Sequence, residues 1–330
     1  MIDGAEIAEI AKALDGERDA FVDDVERILT RRLNVILYGP PGTGKTRAAF
    51  AVRDRWSVRN GIDSVIPVTF HPSYNYEDFV RGYRPKVTES GVTYEIEDGV
   101  LLQACRRAEN APTLLLIDEI NRGDVSRIFG ELITYIEEDK RGEKFRLSVQ
   151  KYPGERCAIP LNLHFLCTMN SADKSISMLD VALRRRFALV EVPPDPGAFA
   201  RVSAWRAEVA GVDLGALLAA LNARLDRAGI EPDRRLGQAL LKIDADDADP
   251  VAALKERLHY DVYPLITEYF FLERQKVREV LEGLVDESGR FRSHLDSQRF
   301  IETVRGLAGE STAAAAAEPD DTAAEPLPEA

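Results

Sequence analysis

Two hydrophobic patterns divide this chain near residue 192. Before that point, short apolar runs alternate with segments whose apolar residues recur at helical spacing. This alternation predicts an α/β fold with a mainly parallel sheet flanked by helices. We expect strands at 34–38, 64–70, 113–118, 161–168 and 187–192. We expect helices at about 45–57, 97–109 and 124–139.

The second pattern begins after a proline cluster, Pro193, Pro194 and Pro196. Prolines at this density favour a boundary between structural units. Beyond them the apolar residues follow helical spacing, as in 214–225 and 251–282. We therefore expect a small all-helical lid domain after the sheet domain.

Four segments follow from these patterns and from composition. Apolar positions at helical spacing before residue 34 predict an N-terminal helical segment. The last 22 residues, 309–330, hold six acidic residues and no basic ones, which predicts a disordered acidic tail. The expected divisions are 1–33 for the helical segment, 34–192 for the α/β domain, 193–308 for the lid domain and 309–330 for the tail.

Two polar insertions interrupt the α/β pattern. The first lies between 83 and 96, and its centre, Thr88-Glu89-Ser90-Gly91, predicts the turn of a hairpin. The second spans about 140–160 and contains Lys151-Tyr152-Pro153-Gly154, which predicts another hairpin or a loop.

Composition excludes several classes of protein. The net charge of −13 over 330 residues argues against a broad basic face for binding DNA. No apolar run reaches the length of a membrane span, so we expect no membrane partner and a cytoplasmic location. The three cysteines lack C-x-x-C spacing and the four histidines lack metal-ligand spacing.

The most specific motif is GPPGTGKT, which follows the first strand and begins a helix. It matches the phosphate-binding pattern G-x-x-x-x-G-K-[ST] in the context that this pattern requires. Its glycines let successive amide groups point into one concavity, its lysine can reach the β- and γ-phosphates, and its threonine hydroxyl can hold Mg²⁺. The candidate nucleotide-binding residues are Gly39, Pro40, Pro41, Gly42, Thr43, Gly44, Lys45 and Thr46.

A second motif supplies carboxylates for hydrolysis. The apolar strand 114–117 ends in Asp118 and Glu119, 73 residues beyond Lys45 (118 − 45). An aspartate at this position can bind Mg²⁺ together with Thr46, and the following glutamate can polarise the attacking water. Taken alone, the pattern also fits a buried strand followed by a charged turn.

Two further sets of polar residues come later. Asn170 follows the strand at 161–168 and could position the water, although a turn asparagine that caps the strand fits as well. Arg184, Arg185 and Arg186 precede the last strand, where they could act as arginine fingers on a neighbouring subunit. The alternative is a solvated basic patch.

Together these motifs resemble the AAA+ superfamily of ring-forming NTPases. Within it, four blocks resemble the McrB family, the GTPase subunits of methylcytosine-specific restriction. The blocks are FHPSYNYEDFVRGYRP (70–85), LLLIDEINRGDVSRIFGEL (114–132), TMNSADKS (168–175) and ALRRRF (182–187). The helical segments RLGQALL and YDVYPLITEYF resemble the lid of that group more loosely.

The resemblance implies specific roles and partners. Asn170 would be sensor 1, Arg185 and Arg186 would be interface arginines, and the first insertion would be the helix 2 insertion of this AAA+ branch. The chain would form a homo-oligomeric ring, a hexamer, that works with a nuclease subunit and meets DNA through that partner.

Two departures from the family limit these implications. McrB proteins usually carry an N-terminal module that reads modified DNA, whereas 38 residues precede Gly39 here, so we expect no direct reading of methylcytosine. Gly237-Gln238-Ala239 stands where the group tends toward Gly-His-Ser.

Three functions remain open from the sequence. The leading hypothesis is an oligomeric NTPase motor of a restriction or defence complex, with Mg²⁺ as cofactor. ATP and GTP are both possible substrates, because the phosphate loop reads phosphates and not bases. An ATPase chaperone of the MoxR type that remodels protein partners is the alternative enzyme. A non-hydrolysing nucleotide switch is disfavoured by the intact Lys45, Asp118, Glu119 and Asn170.

Overall fold

The computed structural model describes residues 20–88, 91–142, 144, 147–148, 156–172, 181–271 and 273–315. By their contacts they fall into two units, one comprising Met1–Pro40 and Gly44–Val192 and the other Pro41–Thr43 and Pro193–Ala330. Parts of three predicted regions lie outside the described residues, namely 1–19 of the N-terminal helical segment, the centre of the second insertion and 316–330 of the acidic tail.

The first unit contains nine strands and six α-helices among its described residues. In chain order they are α1 (Ala20–Arg32), β1 (Asn34–Gly39), α2 (Lys45–Asn60), β2 (Val65–Thr69), α3 (Tyr76–Phe79), β3 (Arg81–Thr88), β4 (Gly91–Asp98), α4 (Val100–Ala108), β5 (Thr113–Asp118), α5 (Val125–Phe129), β6 (Leu147–Ser148), β7 (Arg156–Cys157), β8 (Leu163–Asn170), α6 (Val181–Arg184) and β9 (Ala188–Glu191).

Five of the strands form a parallel sheet in the order β2-β5-β8-β1-β9. This confirms the predicted α/β fold. Gly39 at the end of β1 pairs with Asn170 at the end of β8, and Ile117 of β5 pairs with Cys167 of β8. All the polar residues that follow these strands therefore lie at one edge of the sheet, its carboxyl edge.

The central strands β5, β8 and β1 are buried on both faces, which explains why they are largely apolar. Ile36, Leu115 and Phe165 pack in one hydrophobic cluster with α4 and α5. Leu114 and Leu166 point to the opposite cluster, with α1 and α2. Parallel strands covered by helices on both sides have this composition because neither face meets water.

The helix predicted over 124–139 is wrong in its second half. Helix α5 ends at Phe129, and Gly130–Ile136 continues as a 3₁₀ helix. Gly130 has φ 53°, and a Cβ there would lie 2.8 Å from the Tyr76 ring. The helix ends because the backbone adopts a left-handed φ where a side chain has no room.

Strands β3 and β4 form the hairpin predicted for the first insertion, with Thr88 paired to Gly91. One face carries the cross-strand pair Arg84 and Glu95 beside Lys86. The other face is apolar and exposed, with solvent-accessible fractions between 52% and 84%. Its residues are Tyr83, Val87, Val92, Tyr94 and Ile96. In the second insertion, β6 and β7 pair over two residues each.

The second unit is mainly helical. Its elements are α7 (Ala198–Arg201), β10 (Glu208–Val209), β11 (Val212–Asp213), α8 (Leu214–Arg227), α9 (Pro250–Glu256), a π-helical turn (Arg257–Val262), α10 (Tyr263–Phe270), α11 (Arg274–Val280) and α12 (Ser297–Ala315), with 3₁₀ turns at Pro232–Arg234 and Gln238–Leu241. Leu217 and Leu221 of α8 share a core with Phe300 and Val304 of α12.

Two details correct the sequence prediction of this unit. It is not all-helical, because β10 and β11 pair across a turn with positive φ at Ala210 (48°) and Gly211 (80°). Helix α12 continues to Ala315, past the predicted boundary at 308, since the alanines that follow Thr312 favour helix. In the part of the chain that the structure describes, no helix combines the length and the apolar character that crossing a membrane demands.

Candidate functional site

The predicted phosphate loop follows β1 and adopts left-handed backbone angles at its glycines. Gly42 has φ 78° and Gly44 has φ 93°, conformations that L side chains rarely adopt. At Gly39 a Cβ would lie 2.4 Å from the Val192 carbonyl oxygen, so no larger residue fits there. The loop can take this path because glycine stands at these positions.

Lys45 begins α2 and its side chain turns back over the loop. Its Nζ donates hydrogen bonds to the carbonyl oxygens of Gly39 (2.9 Å) and Pro40 (2.6 Å). The side chain is therefore held over the loop at the start of a 16-residue helix, where the helix dipole favours negative charge.

The next residue, Thr46, faces Asp118 at the end of β5. The Thr46 Oγ1 and Asp118 Oδ1 atoms are 3.4 Å apart. The Thr168 hydroxyl, from β8, donates a second hydrogen bond to Asp118 Oδ1 and accepts one from the Glu119 N–H (3.0 Å). Side chains from α2 and β8 thus both contact the carboxylate at the end of β5.

Glu119 occupies an unusual backbone conformation. Its φ and ψ are 55° and 49°, in the left-handed region that non-glycine residues seldom enter. Its Oε2 lies 3.3 Å from Nε of Arg122, three residues later. Strained backbone of this kind clusters at functional sites.

Asn170 is held beside the phosphate loop. Its carbonyl oxygen accepts a hydrogen bond from Nδ2 of the buried Asn121 (3.0 Å), and Ser171 N–H donates to the Gly39 carbonyl (3.0 Å). The Asn170 Oδ1 atom accepts from the Ala172 N–H at 3.4 Å. The carboxyl edge of the sheet therefore brings Gly39, Lys45, Thr46, Asp118, Glu119 and Asn170 together.

The predicted arginines lie elsewhere, near the amino ends of the strands. Arg184 and Arg185 are exposed, whereas the Arg186 side chain is only 8% exposed and pairs with Glu137 (2.9 Å). A hydrogen bond from Lys140, together with the charges of Arg186 and Arg185, lowers the pKa of Glu137. The alternative of a solvated basic patch therefore does not describe Arg186.

The donors near Thr46 suit a hard cation. Mg²⁺ prefers oxygen ligands and usually takes one or two from the protein, with water and substrate phosphates as the others. Thr46 Oγ1 and Asp118 Oδ1 are oxygen atoms of this kind, close enough to share one ion. Among the described residues, no group of three or more His, Cys, Asp or Glu side chains could hold a metal ion.

Comparisons with known proteins identify the family of the domain that contains these residues. Residues 34–187 match the model of the AAA domain, dynein-related subfamily. Over 292 residues, or 83% of this chain, the sequence is 33% identical to the type IV methyl-directed restriction enzyme EcoKMcrB subunit of Escherichia coli K12.

This chain is an AAA+ protein related to McrB.

A second relative is also named as a component of a restriction enzyme. Over 47% of the chain, the sequence is 28% identical to the type II restriction enzyme BsuMI component YdiS of Bacillus subtilis 168. The chain spans 63% and 55% of the length of these two relatives.

The second unit of this AAA+ chain contains both the loop tip Pro41–Thr43 and the segment Gly237-Gln238-Ala239, which departs from the family pattern. That segment binds the loop tip. Gly237 N–H donates to the Pro41 carbonyl (3.0 Å), Ala239 N–H to Gly42 (2.9 Å) and Gln238 Nε2 to Thr43 (2.8 Å). A Cβ at Gly237 would lie 2.1 Å from the Gly42 carbonyl carbon. Glycine is therefore required there, and Gln238 takes a structural role.

Sequence reasoning missed four side chains of the first unit that support the predicted residues, namely Thr168, Asn121, Arg122 and Glu137. Thr168 and Asn121 carried a usable signal, because each stands within two residues of a predicted site residue at the end of a strand. Glu137 carried none, since it is 49 residues from Arg186 along the chain (186 − 137).

Proposed function

We propose that this chain binds and hydrolyses a nucleoside triphosphate at the carboxyl edge of its sheet. The observation that carries the proposal is that Thr46 and Thr168 both contact Asp118, while Thr168 also accepts a hydrogen bond from the Glu119 N–H. Thr46 directly follows Lys45, which the glycine loop holds. Phosphoryl transfer depends on positioning and on charge stabilisation, and these residues supply both.

In this proposal the loop residues Gly39 to Thr46 cradle the phosphates. Lys45 exchanges its carbonyl partners for phosphate oxygens, and Thr46 and Asp118 hold Mg²⁺. The ion would neutralise charge on the β- and γ-phosphates.

Glu119 is proposed as the general base that orients and polarises the attacking water. It directly follows Asp118 at the carboxyl edge of the sheet, and its Oε2 atom is paired with Arg122. Asn170, fixed beside Gly39, would place the same water from the neighbouring strand. Arg122 would hold the Glu119 carboxylate until substrate arrives.

We further propose that hydrolysis needs a neighbouring subunit in a hexameric ring. Ala188 pairs with Val35, four residues before Gly39, so the arginines lie about 13 Å or more along β1 from the loop. This separation disfavours action on the same subunit's nucleotide. Arg185 or Arg186 would instead stabilise charge on the γ-phosphate of the adjacent subunit.

The wider role proposed is that of a motor subunit in a restriction or defence complex. Both relatives carry names of restriction enzyme components, which favours this role over protein remodelling by a MoxR-type chaperone. The chain would act in the cytoplasm with a nuclease subunit and would meet DNA through it.

The first test measures nucleotide affinity and turnover for ATP and for GTP. Lys45→Ala should abolish binding, because no other side chain from the loop carries a positive charge. Glu119→Gln should bind normally and lose turnover, and Glu109→Gln, which alters an exposed glutamate after α4, should match the wild type. Undiminished hydrolysis by Glu119→Gln would rule out this base.

The second test examines assembly. Arg185→Ala mixed with Glu119→Gln should regain part of the activity that each lacks alone, because some interfaces then contain an intact base and an intact arginine. Mixtures that stay inactive at concentrations where the wild type forms rings would contradict action between subunits.

A further inference from the structure

The three consecutive arginines before β9 are in different environments. Arg184 and Arg185 are exposed, while the side chain of Arg186 is buried against Glu137. On either side, Leu183 and Phe187 are buried at 1% and 3% exposure. The backbone between them therefore has little freedom, and only the middle of the segment faces solvent.

The backbone of Arg186 is anchored separately from its side chain. Asn34 Nδ2 donates hydrogen bonds to the carbonyl oxygens of Arg186 and Ile136, both at 2.9 Å. The Arg186 N–H donates to the Leu183 carbonyl (2.9 Å). The side-chain amide of Asn34 thus links Arg186 to Ile136, the residue that precedes Glu137.

A buried guanidinium completes this network. Arg141 donates to Asn34 Oδ1 (2.5 Å), to the Ile136 carbonyl (2.9 Å) and to the Leu163 carbonyl. Burial lowers the pKa of Arg141 to about 10, so it stays charged at neutral pH. Since charged hydrogen bonds to buried carbonyls are strong, this network fixes the 136–137 segment on which Arg186 rests.

From this arrangement, and resting on the proposed function, we infer that Arg185 is the arginine that reaches the neighbouring subunit's nucleotide and that Glu137 is a positioning residue for it. Glu137 holds Arg186, and Arg186 holds the backbone from which Arg185 projects. Arg186 cannot serve as the finger while it is paired with Glu137, because its side chain is then only 8% exposed and does not extend from the surface.

The inference predicts different losses of kcat for variants of Arg185 and for variants of the residues that position it. Arg185→Ala should lower kcat about 1,000-fold or more, the range known for arginine fingers. Arg186→Ala and Glu137→Ala should lower kcat about 10- to 100-fold, the effect of a misplaced catalytic group, and leave KM and nucleotide affinity unchanged. Glu137→Gln keeps an oxygen that accepts from Arg186 and should recover part of that loss.

A neighbouring residue provides a matched control. Glu138→Ala changes the exposed carboxylate next to Glu137. This variant should retain kcat within about twofold. Thermal melting of every variant, followed by circular dichroism, shows whether a loss of turnover reflects unfolding.

A readout independent of turnover tests the anchor itself. Amide hydrogen exchange at Arg186 and Phe187, whose N–H groups donate to the Leu183 carbonyl, should accelerate in Glu137→Ala and remain unchanged in Glu138→Ala. A wild-type chain that hydrolyses neither ATP nor GTP would defeat the proposed function, yet the exchange rates would still decide whether Glu137 fixes this segment.

Three results would overturn the inference. The first is an equal loss of kcat in Arg186→Ala and Arg185→Ala, which would make Arg186 a finger as well. The second is wild-type turnover in Glu137→Ala. The third is unchanged amide exchange in Glu137→Ala, which would mean that Glu137 does not hold the segment.

Discussion

Replacing Thr168 by valine would test whether its hydroxyl organises the carboxyl edge of the sheet. The substitution keeps the branched shape of the side chain and removes its oxygen. Thr168 is only 2% exposed, so water cannot replace the lost group. Two hydrogen bonds disappear, the one donated to Asp118 and the one accepted from the Glu119 N–H.

The expected cost follows from these two bonds. A hydrogen bond to a charged group contributes about 1.5–3 kcal/mol and a neutral one about 1 kcal/mol. The sum predicts that Thr168→Val lowers the free energy of unfolding by about 2.5–4 kcal/mol. For a unit of this size, that corresponds to a fall in Tm of about 5–15 °C.

Thermal and urea denaturation, followed by circular dichroism at constant protein concentration, would measure the change. Thr168→Ser is the control, because it restores the hydroxyl and removes one methyl group, which costs about 1 kcal/mol. The variant should also need about 10- to 100-fold more Mg²⁺ for half-maximal turnover, since Asp118 loses the partner that orients it. A Thr168→Val protein within 1 kcal/mol of the wild type, with an unchanged Mg²⁺ requirement, would refute the reasoning.

Three other predictions concern different parts of the molecule. Asn34→Ala removes three hydrogen bonds, two to neutral carbonyls and one from the charged Arg141. It should lower the free energy of unfolding, measured by urea denaturation, by about 3.5–5 kcal/mol, whereas the exposed Asn110→Ala should not change it. A loss below about 1 kcal/mol in Asn34→Ala would contradict the network. Burial raises the pKa of the Cys105 and Cys167 thiols above 9.0. The free energy of unfolding should therefore fall as pH rises above about 9, where the thiols ionise only in the unfolded chain. A thiol reagent should modify both cysteines only after unfolding, and fast modification of the native chain would contradict their burial. With a net charge of −13, the isolated chain should show no tight, methylation-dependent binding to DNA at physiological salt in fluorescence anisotropy, and such binding would exclude the proposed dependence on a partner.

Much of the first unit could be predicted because its central strands are buried on both faces. After Thr113, β5 has no polar residue until Asp118, so the pattern marks both the strand and the place where it ends. Since parallel strands end at the same edge, the motifs after β1, β5 and β8 could be placed together. Their roles remain predictions.

The supporting contacts could not be predicted in this way. Gly130 ends a helix because of the Tyr76 ring, and Glu137 pairs with Arg186 from a distant part of the chain. Such contacts depend on how elements pack and on register, which hydrophobic spacing does not encode. The difference between Arg185 and Arg186 depends on the same kind of information.

The left-handed backbone of Glu119 has a consequence for how this sequence can evolve. A residue with a Cβ in that region costs about 1–2 kcal/mol relative to the ordinary helical region, whereas glycine adopts it freely and asparagine tolerates it. Random substitution would therefore find more stable chains by replacing Glu119 with glycine. If Glu119 is the proposed base, a laboratory search for thermostable variants that ignored turnover would tend to lose its carboxylate early.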